Sequence, residues 1–363
     1  MRILYVNGDS GIAPDGSKGA SIHLRSLIGA LGRIGHDVTL CTRRPGSIDA
    51  AVRVVEGTDV DTLVTTARAI QADAIYERYS LGHIDGLRAA QALGLPFALE
   101  VNAPLVEEAG RFRPNTLSSQ DATWELKLWR DADLVFAVSR ELRDHIRKVR
   151  GHDRGLEHLP NGVDPRIFPS PAPCRREGPF ALGFLGHPKP WHGGKLLPQL
   201  VQGLKRRGLA VRLRIVGGGP GCAELAEAMR ALGLSGKFES TGPLSQETAI
   251  RALQETDLGL APYLPSENFY FCPLKVLETM AAGVPLLATS IGDVPFLTGD
   301  AARLVAPGDL EELIDAAAWL LENPRERERL SHVGRARVFE AFTWDQSAHR
   351  VVRALEGDKA ARA

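Results

Sequence analysis

The chain has 363 residues, 44% of them hydrophobic and 24% charged, which is ordinary globular composition with length enough for two domains. Lys plus Arg and Asp plus Glu both number 44, so the formal net charge is zero and no global field recruits nucleic acid. Cys41, Cys174, Cys222 and Cys272 are scattered, with no C-x-x-C pair, which excludes a disulfide framework and points to reduced thiols in a cytoplasmic setting. The opening MRILYVNGDSG has too short an apolar run for a signal peptide, and no long uncharged apolar segment follows. A soluble protein is expected; peripheral membrane contact and the oligomeric state are left open.

Arg2 to Val6 (RILYV) reads as a strand, followed by the glycine-bearing loop NGDSGIAPDGSKGAS and an amphipathic helix through His23, Leu24, Leu27, Ile28 and Leu31. Asp37 to Cys41 is the next strand, so the chain opens on a doubly wound unit. Gly16 and Gly19 lie just before the helix, where free backbone N–H groups let an anion approach its positive end. A dehydrogenase of the Rossmann type is disfavoured: no G-x-G-x-x-G follows the first strand, and the second ends in Thr42-Arg43-Arg44 without an acidic residue for a ribose. Asp73 to Tyr76 and Phe97 to Val101 are further strands. In doubly wound sheets ligands gather at the carboxyl ends of strands, so Arg78, His83, Asn102, Glu107 and Glu108 are candidates to face a substrate. Residues 111–120 (RFRPNTLSSQ) read as a mobile loop on the acceptor side. Leu134 to Val138 is a strand, and Ser139 is placed to cap a helix over 140–149. The run PRIFPSPAPCRREGP holds five prolines and reads as a linker.

From Phe180 the pattern restarts, FALGFLG paralleling ILYVNG as a strand followed by a glycine turn. The turn is Gly186-His187-Pro188-Lys189-Pro190-Trp191-His192-Gly193-Gly194. Val211 to Val216 leads into a second glycine turn at residues 217–221, where glycines permit close strand–helix packing. Phe238 to Leu244 and Leu258 to Ala261 follow as strand segments. Pro273 suits the first position of a helix over 273–282, and Gly283 suits its left-handed close. Residues 286–289 (LLAT) then read as a buried parallel strand. Glu278 falls mid-helix among Leu274, Leu277 and Met280, on the face it shares with Lys275, and such a carboxylate needs a partner. The charged ENPRERERL run reads as a solvated helix face, and Phe342 and Trp344 precede a last helix.

Three segments carry a family resemblance: PLKVLETMAAGVPLLAT at 273–289, KGASIHLRSL at 18–27 and the PNGVD of 160–164. Together they resemble GT-B glycosyltransferases, most closely the retaining family 4 (glycosyl transferases group 1), over nearly the whole chain. The fold class so implied is α/β, with two Rossmann-like doubly wound domains facing across a cleft: 1–168, a linker at 169–178, 179–343, and a helix over 344–357 that crosses back to the first. The resemblance implies that Glu278 receives both ribose hydroxyls of a sugar nucleotide, two donors suited to a carboxylate's two oxygens. Tyr270 stands where the family's first glutamate reaches the sugar. His187 and His192 stand where relatives carry an Arg and a Lys on the diphosphate, so Lys189 and His192, helped by Lys275 and helix-terminal N–H groups, are expected to share that role as catalytic groups. Leu274, Gly186, Gly242, Leu244 and Gly19 complete the donor candidates. Asn102 stands where many relatives have a histidine. It can hold a sugar hydroxyl but take no proton. His23, Arg78, His83 and Glu107 are the acceptor-side candidates.

The resemblance thus implies an enzyme moving a sugar from a nucleoside-diphosphate (NDP) sugar to a small-molecule, lipid-linked or glycan acceptor, with retention, no cofactor and no metal. Backbone dipoles and cations would stabilise the leaving diphosphate, which can itself take the acceptor's proton. An inverting course would need a base, with His23 or Glu107 first in line. The alternatives are a sugar-nucleotide 2-epimerase of the same fold and a non-catalytic sugar-nucleotide binder.

Overall fold

A computed structural model of the chain describes residues 1–16, 18–49, 51–171 and 177–362. The middle of the expected linker, including Cys174, lies outside the described residues. The chain forms two compact units, one of residues 1–161, 270–272 and 344–363, the other of 162–269 and 273–343. The first unit therefore ends at Asn161, seven residues before the expected boundary at 168.

The first unit is built on a seven-stranded parallel sheet: β1 (Arg2–Asn7), β2 (Asp37–Thr42), β3 (Arg53–Glu56), β4 (Ala74–Arg78), β5 (Phe97–Val101), β6 (Leu134–Ala137) and β7 (Leu156–His158), in the order β3-β2-β1-β4-β5-β6-β7. The second carries six parallel strands: β8 (Phe180–Leu185), β9 (Val211–Val216), β10 (Phe238–Ser240), β11 (Leu258–Ala261), β12 (Leu286–Thr289) and β13 (Arg303–Val305), in the order β10-β9-β8-β11-β12-β13. Each order steps outward from its first strand and then reverses, so each sheet has one point between its first and fourth strands where loops diverge and a ligand can enter. The central strands are buried on both faces, hence their unbroken apolar runs: Ile3, Leu4, Tyr5 and Val6 in β1, and all six residues of β8. β3, β7, β10 and β13 lie at sheet edges, and β3, β7 and β13 had no counterpart among the expected strands. Each has only three or four residues with part-exposed positions, so apolar patterning marks them poorly.

In the second unit one core joins a face of the sheet to the helices Leu196–Arg206, Pro220–Ala231 and Leu310–Glu322 through Leu197, Leu200, Leu213, Ile215, Met229, Leu313 and Leu320. Each such leucine contributes roughly 1.5–3 kcal/mol by leaving water, and truncation to alanine at Leu200 would cost about 2–5 kcal/mol. The expected loop at 111–120 is more ordered than its composition indicates. The helix Leu105–Phe112 runs into it, and its first turn is capped from a distance, Val106 N donating to the buried Glu125 Oε2 at 3.2 Å. The last helix, Trp344–Arg362, begins at Trp344 and packs in the first unit, where Arg33 pairs with Asp345. No helix among the described residues is long and apolar enough to cross a membrane.

Candidate functional site

In the second unit the helix Leu274–Ala281 starts after Pro273 (φ −76°) and ends before Gly283, whose φ of +70° is the left-handed cap the sequence called for. Its two ionisable side chains, Lys275 and Glu278, are both half-buried. Glu278 Oε1 accepts one hydrogen bond, from Gln246 Nε2 at 3.0 Å. Burial pushes its carboxyl up from the ordinary glutamate value, with Gln246 and Lys275 opposing. Gln246 opens the helix Gln246–Gln254, which Ser245 caps by accepting from Thr248 N. Lys275 Nζ lies 4.0 Å from the centre of the Phe184 ring and 5.8 Å from that of Tyr263. Burial, then Lys189, bring its ammonium down to about 7, against the pull of Glu278.

The turn after β8 closes around this lysine. His192 Nδ1 is 3.2 Å from Lys275 Nζ, 2.9 Å from His187 O and 3.3 Å from Lys189 N. A ring nitrogen carries either a hydrogen or a lone pair: toward the carbonyl it must donate, toward Lys189 N–H and a charged Lys275 it must accept. The tautomer of His192 is therefore tied to the charge of Lys275. Burial, then Lys275, bring the imidazole down to about 3, so it is neutral at physiological pH. The ring sits among Phe184, Trp191 and Tyr263, a setting that opposes charge. The cations of this turn are Lys189, exposed and with Nζ 5.0 Å from the Trp191 ring, and Lys275 when protonated.

His187 Nδ1 donates to Gly218 O at 2.6 Å, and its ring lies flat on Gly219. A Cβ there would come within 1.6 Å of the imidazole, and φ is +115° besides, so no other residue fits without moving His187. Gly219 is also the N-cap of the helix Pro220–Ala231, which has no side-chain cap and no acidic residue in its first turn. Gly186 (φ +92°) packs on Gly217, and Gly242 (φ +71°) on Gly218. Two glycine turns and a helix N-terminus are thus assembled at the ends of β8 and β9. Leu244 and Leu274 are part-exposed.

In the first unit, three expected residues meet on one that sequence reasoning had left unmarked. Glu100, on β5 and 1% exposed, accepts at Oε1 from Arg78 Nη1 (2.7 Å) and Asn102 Nδ2 (2.5 Å), and at Oε2 from Tyr76 Oη (2.7 Å). His23 Nε2, reaching in from the helix Gly19–Arg33, stands 3.0 Å from Oε1. Burial opposes the charge, but His23, Arg78 and Asn102 together hold this carboxyl well below the usual range. Its one sequence signal was a glutamate inside an otherwise apolar strand, FALEV. Register explains the meeting: Arg78 and Glu100 are paired across β4 and β5, and Tyr76 shares their face two residues back.

His83 does not join them, contrary to the expectation that it faces an acceptor. It is 1% exposed, with Nδ1 2.8 Å from Glu77 Oε1 and Nε2 3.0 Å from Thr58 O. Both partners only accept, so both nitrogens carry hydrogen. Burial resists that charge, and the Glu77 carboxylate prevails, raising the imidazole above its ordinary value. The first unit also includes Tyr270, whose Oη donates to Glu108 Oε2 at 3.0 Å. Burial and that carboxylate raise its phenol. Glu107 and Glu108 occupy the first turn of the helix Leu105–Phe112. Gly19, exposed, opens the helix Gly19–Arg33, which has no capping side chain.

Comparison with known proteins bears on both units. Residues 17–167 match the model of "Glycosyltransferase Family 4" and residues 179–323 that of "Glycosyl transferases group 1". The chain belongs to the family 4 glycosyltransferases. It is 25% identical to the MMP alpha-(1->4)-mannosyltransferase of Mycolicibacterium hassiacum, over 93% of this chain and 94% of that one. It is 29% identical to the GDP-mannose-dependent alpha-(1-6)-phosphatidylinositol monomannoside mannosyltransferase of Mycolicibacterium smegmatis, over 65% of each. Among solved structures, the sucrose-phosphate synthase of Thermosynechococcus elongatus superposes with a TM-score of 0.77 over 99% of both chains at 18% identity. The family 4 glycosyltransferase thus has the GT-B fold, and it is an enzyme of the glycosyl-transferring class.

Proposed function

We propose that this glycosyltransferase takes its sugar from a nucleoside-diphosphate donor held in the second unit, with Glu278 on the ribose and the two glycine turns around the diphosphate. The observation that carries this reading is Glu278 itself. It is a half-buried carboxylate whose one side-chain donor among the described residues is Gln246 and whose charge is disfavoured by burial. Two ribose hydroxyls would supply the donors that favour the ionised form. Lys189, Lys275 and the N-terminus of Pro220–Ala231 offer cations and N–H groups to the diphosphate. Gly242 and Leu244 stand beside them for the base. His192 tunes Lys275, and Tyr270 acts through Glu108.

Among donors, the names of both Mycolicibacterium relatives favour a mannose, and that of the second favours its GDP-linked form. Transfer proceeds with retention and without a metal: the departing phosphate accepts the acceptor's proton, so no strong protein base is needed, and Asn102, which cannot take a proton, fits such a course. The acceptor is a hydroxyl on a small molecule, glycan or lipid-linked glycan, contacted from the first unit by Asn102 and Arg78. A thermal-shift series with GDP, UDP, ADP and dTDP tests the donor site, since a ligand that binds the native form alone raises its stability by about 2.7 kcal/mol at a hundred times its Kd. The expected result is a shift with one or two of the four in the parent and none in Glu278→Ala. Equal shifts in both proteins would reject the role of Glu278.

A further inference from the structure

Glu100 is buried at 1% exposure, on a central strand, with hydrogen bonds from three side chains on it and His23 Nε2 3.0 Å from Oε1. A buried ion pair is weak evidence of stabilisation, because an apolar cluster of the same volume would serve as well. What the arrangement does supply is orientation. Asn102 gives its amide N–H to Glu100, so its Oδ1 is the face left over, with no partner among the described residues. The His23 ring packs beside the same carboxylate, with Nε2 3.0 Å from Oε1. Arg78 commits Nη1 and keeps its other guanidinium hydrogens in a fixed plane.

We infer that Glu100 is a positioning residue for glycosyl transfer: its carboxylate turns the Asn102 amide so that Oδ1 accepts a hydrogen bond from a neighbouring, non-reacting hydroxyl of the acceptor, and holds Arg78 and His23 beside it. The inference rests on the glycosyltransferase reading and names the group that prearranges its acceptor side. The reacting hydroxyl thereby keeps its own hydrogen for the departing phosphate, while the rest of the acceptor is held in place.

The test compares Glu100→Gln, equal in shape but uncharged, with Glu100→Asp, charged but one methylene shorter. A positioning carboxylate predicts turnover in the order parent, Asp, Gln; a packing role predicts Gln above Asp. Nucleoside diphosphate release is measured from GDP-mannose and UDP-glucose with methyl α-mannoside, methyl α-glucoside and water as acceptors. The Gln variant should lose roughly 10²-fold in turnover, the loss a misplaced group produces, while GDP or UDP affinity is unchanged. In parallel, nitrogen spectra of 15N-histidine protein, with His23→Gln for assignment, should show the His23 ring in a changed state in Glu100→Gln relative to the parent. Where that variant does not fold, Asn102→Asp removes the same donor, and turnover must fall with nucleotide affinity kept. An unaltered His23 spectrum in folded Glu100→Gln, or Gln outperforming Asp, overturns the inference. A parent that releases no diphosphate from any donor defeats the transferase reading instead, and the histidine spectra then still decide what Glu100 holds.

Discussion

Glu100, on β5, and Glu278, on the helix Leu274–Ala281, are both carboxylates, and they are in opposite electrostatic conditions. Glu100 is buried, receives three hydrogen bonds and has His23 beside it, so its carboxyl is held well below the ordinary range. Glu278 is half-buried, receives one, and has its charge opposed. The first is a completed network whose members constrain one another; the second has lone pairs for a ligand to use. A carboxylate that binds must not be satisfied by its own protein, and one that positions must be.

The contrast can be broken most forcefully at Arg78. Replacing it with methionine leaves Glu100 buried without its guanidinium, which should cost about 3–5 kcal/mol of folding stability in urea denaturation. A loss under about 1 kcal/mol would mean that the network does not depend on the pair. Next comes Glu278→Gln, for which the two properties should move apart. Nucleoside diphosphate affinity, titrated calorimetrically, should fall about 100-fold as charge-assisted bonds to the ribose become neutral ones. The melting temperature should hold or rise, because a charge that burial opposes has been removed; a large drop would place Glu278 with Glu100 as structural.

Lys275 sharpens the same contrast through pH. Its folded value of about 7 lies below the ordinary lysine value of 10.5, so the unfolded chain holds the proton more tightly. The penalty is fully present below about pH 7 and fades as pH climbs toward 10.5. Thermal melts should therefore show the parent gaining on Lys275→Met across that window, with the variant the more stable at pH 6. A constant difference would assign Lys275 an ordinary ammonium. The smallest effect is expected at Lys189, an exposed cation: Lys189→Ala should weaken diphosphate binding about threefold, more at low salt than at high. Independence from salt would remove it from the phosphate site.

The amino-acid sequence by itself determined the two doubly wound halves, the places of their central strands along the chain and the helix that carries Glu278. Apolar runs, a proline before a helix and a glycine after it are local signals, and strands buried on both faces must be apolar throughout. The edge strands escaped it, because a half-exposed strand of three or four residues leaves no such run. Only the tertiary structure decided which polar residues meet. His23, Arg78 and Asn102 are far apart or unremarkable in the chain until register and helix packing bring them to Glu100. His83 looks the same in sequence but is turned onto Glu77 and Thr58. The charge of His192 is likewise set by three aromatic rings and a lysine that contact it through folding, since the field at a side chain is summed over neighbours in space.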